Sequence, residues 1–162
     1  MEYSATSEKF TTFKITKDEK IIGELHYKSW FKFNAEIEIL NSKYKVEPKG
    51  FLGTTVEVID GKNVILKFAM NWEGNILLKT YFDNTEKDYI FKHQGFFKES
   101  FVLTDQKGSE LMIMKPNFKW NSLNYEYQMT TSEILETFDE KNILLLISLH
   151  CANYYMSMMM GM

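Results

Sequence analysis

The sequence predicts an all-β chain with a C-terminal helix: a closed antiparallel barrel of about twelve strands around a central hydrophobic α-helix. Three observations carry this. From about residue 10 to residue 130, apolar and polar side chains alternate, which marks strands with one buried and one wet face. Such strands pair antiparallel more often than parallel. Turn signals recur at short intervals, among them Asp60-Gly61, Glu73-Gly74-Asn75, Asp83-Asn84 and Gln106-Lys107-Gly108, each suited to a tight hairpin. The chain then ends in Asn142–Met162, NILLLISLHCANYYMSMMMGM, a stretch without Lys, Arg, Asp or Glu.

Taken in order, the runs put strands near residues 10–16, 20–28, 33–40, 43–48, 52–60, 63–70, 75–82, 88–94, 98–105, 109–115, 117–121 and 124–130. Phe33-Asn34-Ala35-Glu36-Ile37-Glu38-Ile39 and Tyr125-Glu126-Tyr127-Gln128-Met129 show the alternation plainly. Pro48 and Pro116, the two prolines, fall near apparent strand ends, where a missing N–H does least harm. At Thr131 the pattern changes. Ser132 is placed to cap a short helix, Glu133–Phe138. Asp139 is placed to cap a second helix over residues 139–160, with Glu140 in its first turn where the macrodipole favours negative charge. No linker or low-complexity segment intervenes, so residues 1–162 read as one domain.

A helix that is apolar all round must be buried in protein or in lipid. About twenty helical residues span roughly 30 Å, enough to run the length of a barrel and to cover the apolar faces of its strands. The same length crosses a bilayer, so a C-terminal tail anchor is the alternative. Asn142, Ser148, His150, Asn153 and Ser157 interrupt the segment, Tyr154 and Tyr155 sit inside it, and no Lys follows it. A membrane span would carry its aromatic residues at the interfaces, so the barrel core is the expectation. His150, Asn153 and Ser157 share one helical stripe. Burial demands hydrogen-bond partners for them from the barrel wall or from water; the competing reading is a polar seam facing a ligand.

The formal net charge is −3, and all 19 basic residues are lysine. Without arginine forks, bidentate phosphate and guanine recognition is missing, and the chain is not expected to bind nucleic acid. Abundant Lys, Asn, Ile, Phe and Tyr give the composition the look of an AT-rich bacterial genome. Cys151 is the single cysteine, so no intrachain disulfide forms, which fits a reducing compartment. The first residues carry no apolar signal segment, and a cytoplasmic location is the default.

Catalytic chemistry is sparse. His26, His93 and His150 are far apart with no metal-ligand spacing. Cys151 and His150 are helix neighbours that point roughly 100° apart. No phosphate-binding, dinucleotide-binding or nucleophile-elbow motif is present. No catalytic residue, metal ligand or cofactor is expected. Three stretches instead place aromatic rings beside lysines: Lys28, Trp30, Phe31 and Lys32; Lys49 and Phe51; and Phe96, Phe97 and Lys98. If they share one end of the barrel, their rings can enter a membrane surface while the ammonium groups meet anionic headgroups. Otherwise the rings pack in the core. An internal echo accompanies them. Phe13-Lys14-Ile15-Thr16 followed by Lys28–Asn34, and Phe101-Val102-Leu103-Thr104 followed by Lys115–Asn121, both fit F-x-[IL]-T and then K-x-x-F-K-[FW]-N, as two hairpins of similar geometry would.

An all-β chain of about twelve strands ending in an apolar helix, with hairpins such as Phe101–Leu111, resembles the tubby C-terminal-like superfamily. That group includes tubby domains, phospholipid scramblases and LURP-one-related proteins. The resemblance covers about residues 10–162, rests on architecture, and implies a closed barrel around a central helix. Tubby domains bind phosphoinositides through basic residues, and scramblases are associated with lipid movement and calcium. Neither site matches residue by residue here, so no site residues carry over. The expected function is a non-enzymatic domain that binds an anionic membrane surface, a lipid or a protein partner. The alternatives are a tail-anchored membrane protein and an enzyme with a small-molecule site at the barrel mouth.

Overall fold

The structure is a computed structural model that describes residues 1–9, 11–29, 33–50, 53–95, 99–119 and 124–160. Its strands are β1 (Glu2–Glu8), β2 (Thr12–Lys17), β3 (Lys20–Ser29), β4 (Asn34–Ile39), β5 (Ser42–Lys49), β6 (Thr55–Asp60), β7 (Asn63–Met70), β8 (Ile76–Thr80), β9 (Lys87–Gln94), β10 (Ser100–Asp105), β11 (Glu110–Lys119) and β12 (Asn124–Thr131). Each pairs antiparallel with the next, and β12 returns to β1 through Tyr3↔Met129 and Ala5↔Tyr127, closing the barrel. Two helices follow, α1 (Glu133–Glu136) and α2 (Lys141–Met160).

The strand total agrees with the sequence reading, but two elements differ. Strand β1 was not expected. Its inward residues are Tyr3, Ala5 and Ser7, and a small and a polar residue in that row hide the apolar alternation. The expected strands 109–115 and 117–121 are one strand, β11, which runs straight through Pro116. The last β10 pairing on β11 is at Met114, and beyond it only β12 remains alongside. Pro116 therefore has one neighbour strand, where a missing N–H costs at most one ladder bond. Pro48 sits likewise beyond the last β4 pairing, at Val46.

Ser132 caps α1 as expected, its Oγ accepting from Leu135 N at 3.2 Å. Helix α1 stops at Glu136, and α2 begins at Lys141, where the Glu140 carbonyl accepts from Leu144 N at 3.1 Å. The second helix thus starts after Glu140 rather than directly after Asp139. From Leu144 to Asn153 every α2 residue is buried. Its partners lie all around the wall: Gly23 on β3 near Leu146, Tyr127 on β12, Phe68 on β7 and His93 on β9. The helix is the core of the barrel. No helix among the described residues is long and apolar enough to cross a membrane.

A meander alternates strand direction, so it fixes which connections share an end. The even-numbered strands finish at the end where α2 enters, here the entry end. The odd-numbered strands finish at the opposite end, where the last turn of α2 lies, here the exit end. At the entry end Glu136 ties the plug to the wall. It accepts from Tyr3 Oη at 2.9 and 3.0 Å, from Lys141 Nζ at 2.9 Å and from Thr131 Oγ1. Burial pushes its carboxyl up, but these donors outweigh that and hold it below the usual range.

Candidate functional site

Two places hold polar chemistry that the fold alone does not require. The first is inside. Tyr127 Oη donates to Asn153 Oδ1 at 2.9 Å, Asn153 Nδ2 donates to Tyr27 Oη at 3.1 Å, and Tyr27 Oη lies 2.9 Å from His150 Nδ1. In its Nε2–H tautomer the imidazole accepts from Tyr27 at Nδ1, and in its Nδ1–H tautomer it donates there. That Nε2 is buried without a hydrogen-bond partner. The ring stacks on Tyr27 at 5.4 Å and meets Phe68 and Phe33 edge-on at 5.7 and 6.1 Å. Burial holds His150 down to a pKa of about 3 and pushes the Tyr27 hydroxyl and the Cys151 thiol well up.

This arrangement is the wall-bonded reading of the His150–Asn153 stripe. Ser157 is only partly buried. The partners Tyr27 and Tyr127 were not anticipated, because inward tyrosines in alternating strands look like any other wall residue. Neutral His150 and protonated Cys151, both sealed in the core, form no nucleophile–base pair. Among the described residues no group of His, Cys, Asp and Glu is arranged to hold a metal ion.

The second place is the exit end. Strands β3, β5 and β9 all finish there, so the three lysine–aromatic stretches are flanked by strand ends on the same rim. Of the nine residues in those stretches, Lys28 and Lys49 are described and exposed. Trp30, Phe31, Lys32, Phe51, Phe96, Phe97 and Lys98 lie outside the described residues. Lys49 pairs with Glu47 at 2.7 Å; Lys28 makes no ion pair among the described residues. Lys9 and Lys115 are further exposed lysines toward this end.

A residue that the sequence reading passed over also lies here. Trp72 stands in the β7–β8 connection and is 91% exposed. It adjoins Glu73-Gly74-Asn75, which signalled only a turn. Met158, on the last turn of α2, is 58% exposed.

The entry end is the richer in carboxylates, beside exposed Lys20, Lys62 and Lys107. Its connections carry Asp18 and Glu19, Asp83 and Glu86, and then Glu133, Glu136, Asp139 and Glu140 around the helices. Exposed apolar residues occur there too, namely Ile21, Leu40 and Ile134, but they stand among carboxylates. The outer wall between the ends bears ion pairs such as Lys43 with Glu36 and Glu38, at 3.5 and 3.7 Å. It also has a shallow groove of about 550 Å³ over Ala69, Leu77 and Ile90, rimmed by Lys79 and Asp88, which pair at 3.4 Å. A scan against protein-family models and searches of curated proteins and of solved structures found no match.

Proposed function

We propose that this chain is a non-enzymatic binding domain that docks on an anionic membrane surface through the exit end of its barrel. The observation that carries the reading is the uneven distribution of charge between the two ends. Lys9, Lys28 and Lys49 stand at one end with Glu8, Glu73 and Glu99, and the connections richest in carboxylates stand at the other. Anionic headgroups repel the second rim more than the first, which orients the barrel with its exit end toward the surface. Lysines without arginines suit a charged surface better than a stereospecific phosphate pocket, because an ammonium acts as a point charge rather than a fork. The twelve-strand meander around a C-terminal helix supports a tubby-like kinship, which belongs to the same proposal.

The test is co-sedimentation of the protein with vesicles containing phosphatidylglycerol, and with purely zwitterionic vesicles, at low and at high salt. Binding to the anionic vesicles that weakens steeply with salt is the expected result. Absence of binding at low salt removes the proposal and leaves a protein partner as the reading to pursue.

A further inference from the structure

The β7–β8 connection has a twin within the same chain. In residues 71–75, Asn71 Oδ1 accepts from Glu73 N and Asn75 N at 3.0 and 2.9 Å, Gly74 N donates to Asn71 O at 3.1 Å, and Asn71 N donates to Asn75 O at 2.8 Å. In residues 105–109, Asp105 Oδ1 accepts from Lys107 N and Ser109 N at 2.9 and 2.8 Å. Gly108 N donates to Asp105 O at 3.1 Å, and Asp105 N donates to Ser109 O at 3.1 Å. The fourth residue is glycine in both, at φ 82° for Gly74 and 83° for Gly108. The two loops are one device: an Asx side chain at the first position, a left-handed glycine at the fourth, and nothing demanded of the second.

In the entry-end loop that second residue is Gln106, which hydrogen-bonds Asp88. In the exit-end loop it is Trp72, 91% exposed. The loop folds without an indole, so the indole serves something outside the fold. Exposing it costs solvation that a polar side chain would not.

Its surroundings name the partner. A methyl group built on Gly74 would meet the Tyr155 ring of α2 at 4.0 Å, and Tyr155 is stacked on His93 at 5.1 Å. The loop therefore lies close to the exit-end turn of α2, one turn before the exposed Met158. Apolar Trp72 and Met158 are exposed at the end of the barrel that is the less acidic of the two, where Lys9, Lys28 and Lys49 stand with Glu8, Glu73 and Glu99. Indole is the side chain most at home between headgroups and acyl chains, and a loop already held by its own hydrogen bonds loses little freedom on insertion.

We infer that Trp72, with Met158 exposed at the same end of the barrel, is an apolar anchor that enters the interfacial layer of an anionic bilayer. This rests on the membrane reading above and adds a penetrating contact to it. The twin loop supplies the test variant, Trp72→Gln, which places at this position a residue the same turn already accommodates. The wild-type chain and Trp72→Gln are compared in thermal unfolding and in binding to phosphatidylglycerol vesicles, with a brominated lipid added to quench buried tryptophan.

Expected are an unchanged unfolding temperature, affinity weaker by about tenfold or more, and loss of part of the brominated-lipid quenching. Equal affinity and equal quenching in the two proteins overturn the anchor while leaving salt-sensitive docking in place. No low-salt binding by the wild type removes both. Should Trp72→Gln unfold early, Trp72→Phe, which keeps the ring's apolar area, must retain most of the binding for the inference to survive.

Discussion

Burial of a neutral imidazole at His150 ties the stability of the whole chain to pH. In the folded state the pKa is held at about 3 against an ordinary 6.5. The group is depressed, so above pH 6.5 it contributes no penalty. As pH falls below 6.5, the unfolded chain takes up a proton that the folded one refuses. Stability then drops by about 1.4 kcal/mol per pH unit, or about 2 kcal/mol by pH 5. Urea unfolding between pH 7.5 and 5 reads this slope. His150→Leu should abolish most of the slope whatever it does to absolute stability.

The order of the hydrogen-bond chain predicts an asymmetry as well. Tyr27→Phe strips a partner from both Asn153 and His150, whereas Tyr127→Phe strips a donor from Asn153. Each orphaned buried group costs about 1–3 kcal/mol, so Tyr27→Phe should lose more in equilibrium unfolding. Equal losses would show that the chain runs otherwise. Half of this network was legible from the sequence. The His150–Asn153 spacing shows a stripe, but its tyrosine partners are brought near by closure of a wall whose register no single strand contains.

Among the elements, the helix and the wall approach closely at Gly23. A Cβ placed there would lie 2.6 Å from Leu146 Cδ1 and 3.0 Å from the Glu38 carbonyl oxygen. The buried Leu146 can yield only by displacing the helix core, so Gly23→Ala should cost about 1–3 kcal/mol as overpacking. In a Leu146→Ala background part of that cost should vanish. Additive losses in the double mutant would mean that the clash is with the backbone alone.

The internal echo also acquires a geometric meaning. F-x-[IL]-T falls on β2 and on β10, with Phe13, Ile15, Phe101 and Leu103 all turned inward. In both hairpins the register shifts between the aliphatic residue and the threonine, at Ile15/Thr16 and at Leu103/Thr104. The repeated motif is a bulged hairpin, and bulges add the local twist that helps a sheet curve into a barrel. Alternation, turn residues and the change of period at Thr131 made most elements readable. Strand β1 escaped because Ala5 and Ser7 occupy inward positions where the pattern expects bulk, and room for them depends on a helix some 140 residues away in sequence.

For the molecule as a whole, the question is whether it meets a membrane as a charged body or as an oriented one. Its net charge of −3 disfavours the first, since an anionic surface repels the protein on average. Orientation offsets that repulsion, because the barrel is about as long as its central helix. Twenty residues of helix put the more acidic rim on the order of 30 Å from the other, several screening lengths of about 8 Å in physiological salt. A charge at the entry end is then invisible to a surface touched by the exit end. Each lysine near such a surface contributes about 1 kcal/mol, so reversing Lys28 and Lys115 to glutamate should weaken vesicle binding by about 4 kcal/mol. Changing Asp18 and Glu19 to lysine makes the chain more positive by the same amount and should leave binding within about twofold. A body attracted by net charge would do the opposite with the second pair and bind far better. Vesicle titration of both double variants at two salt concentrations separates these cases. Strong enhancement by Asp18→Lys with Glu19→Lys would sink the oriented docking. The rims themselves were not visible in the sequence, where lysines and carboxylates alternate along nearly every strand; only the order in which the strands close sorts them to two ends.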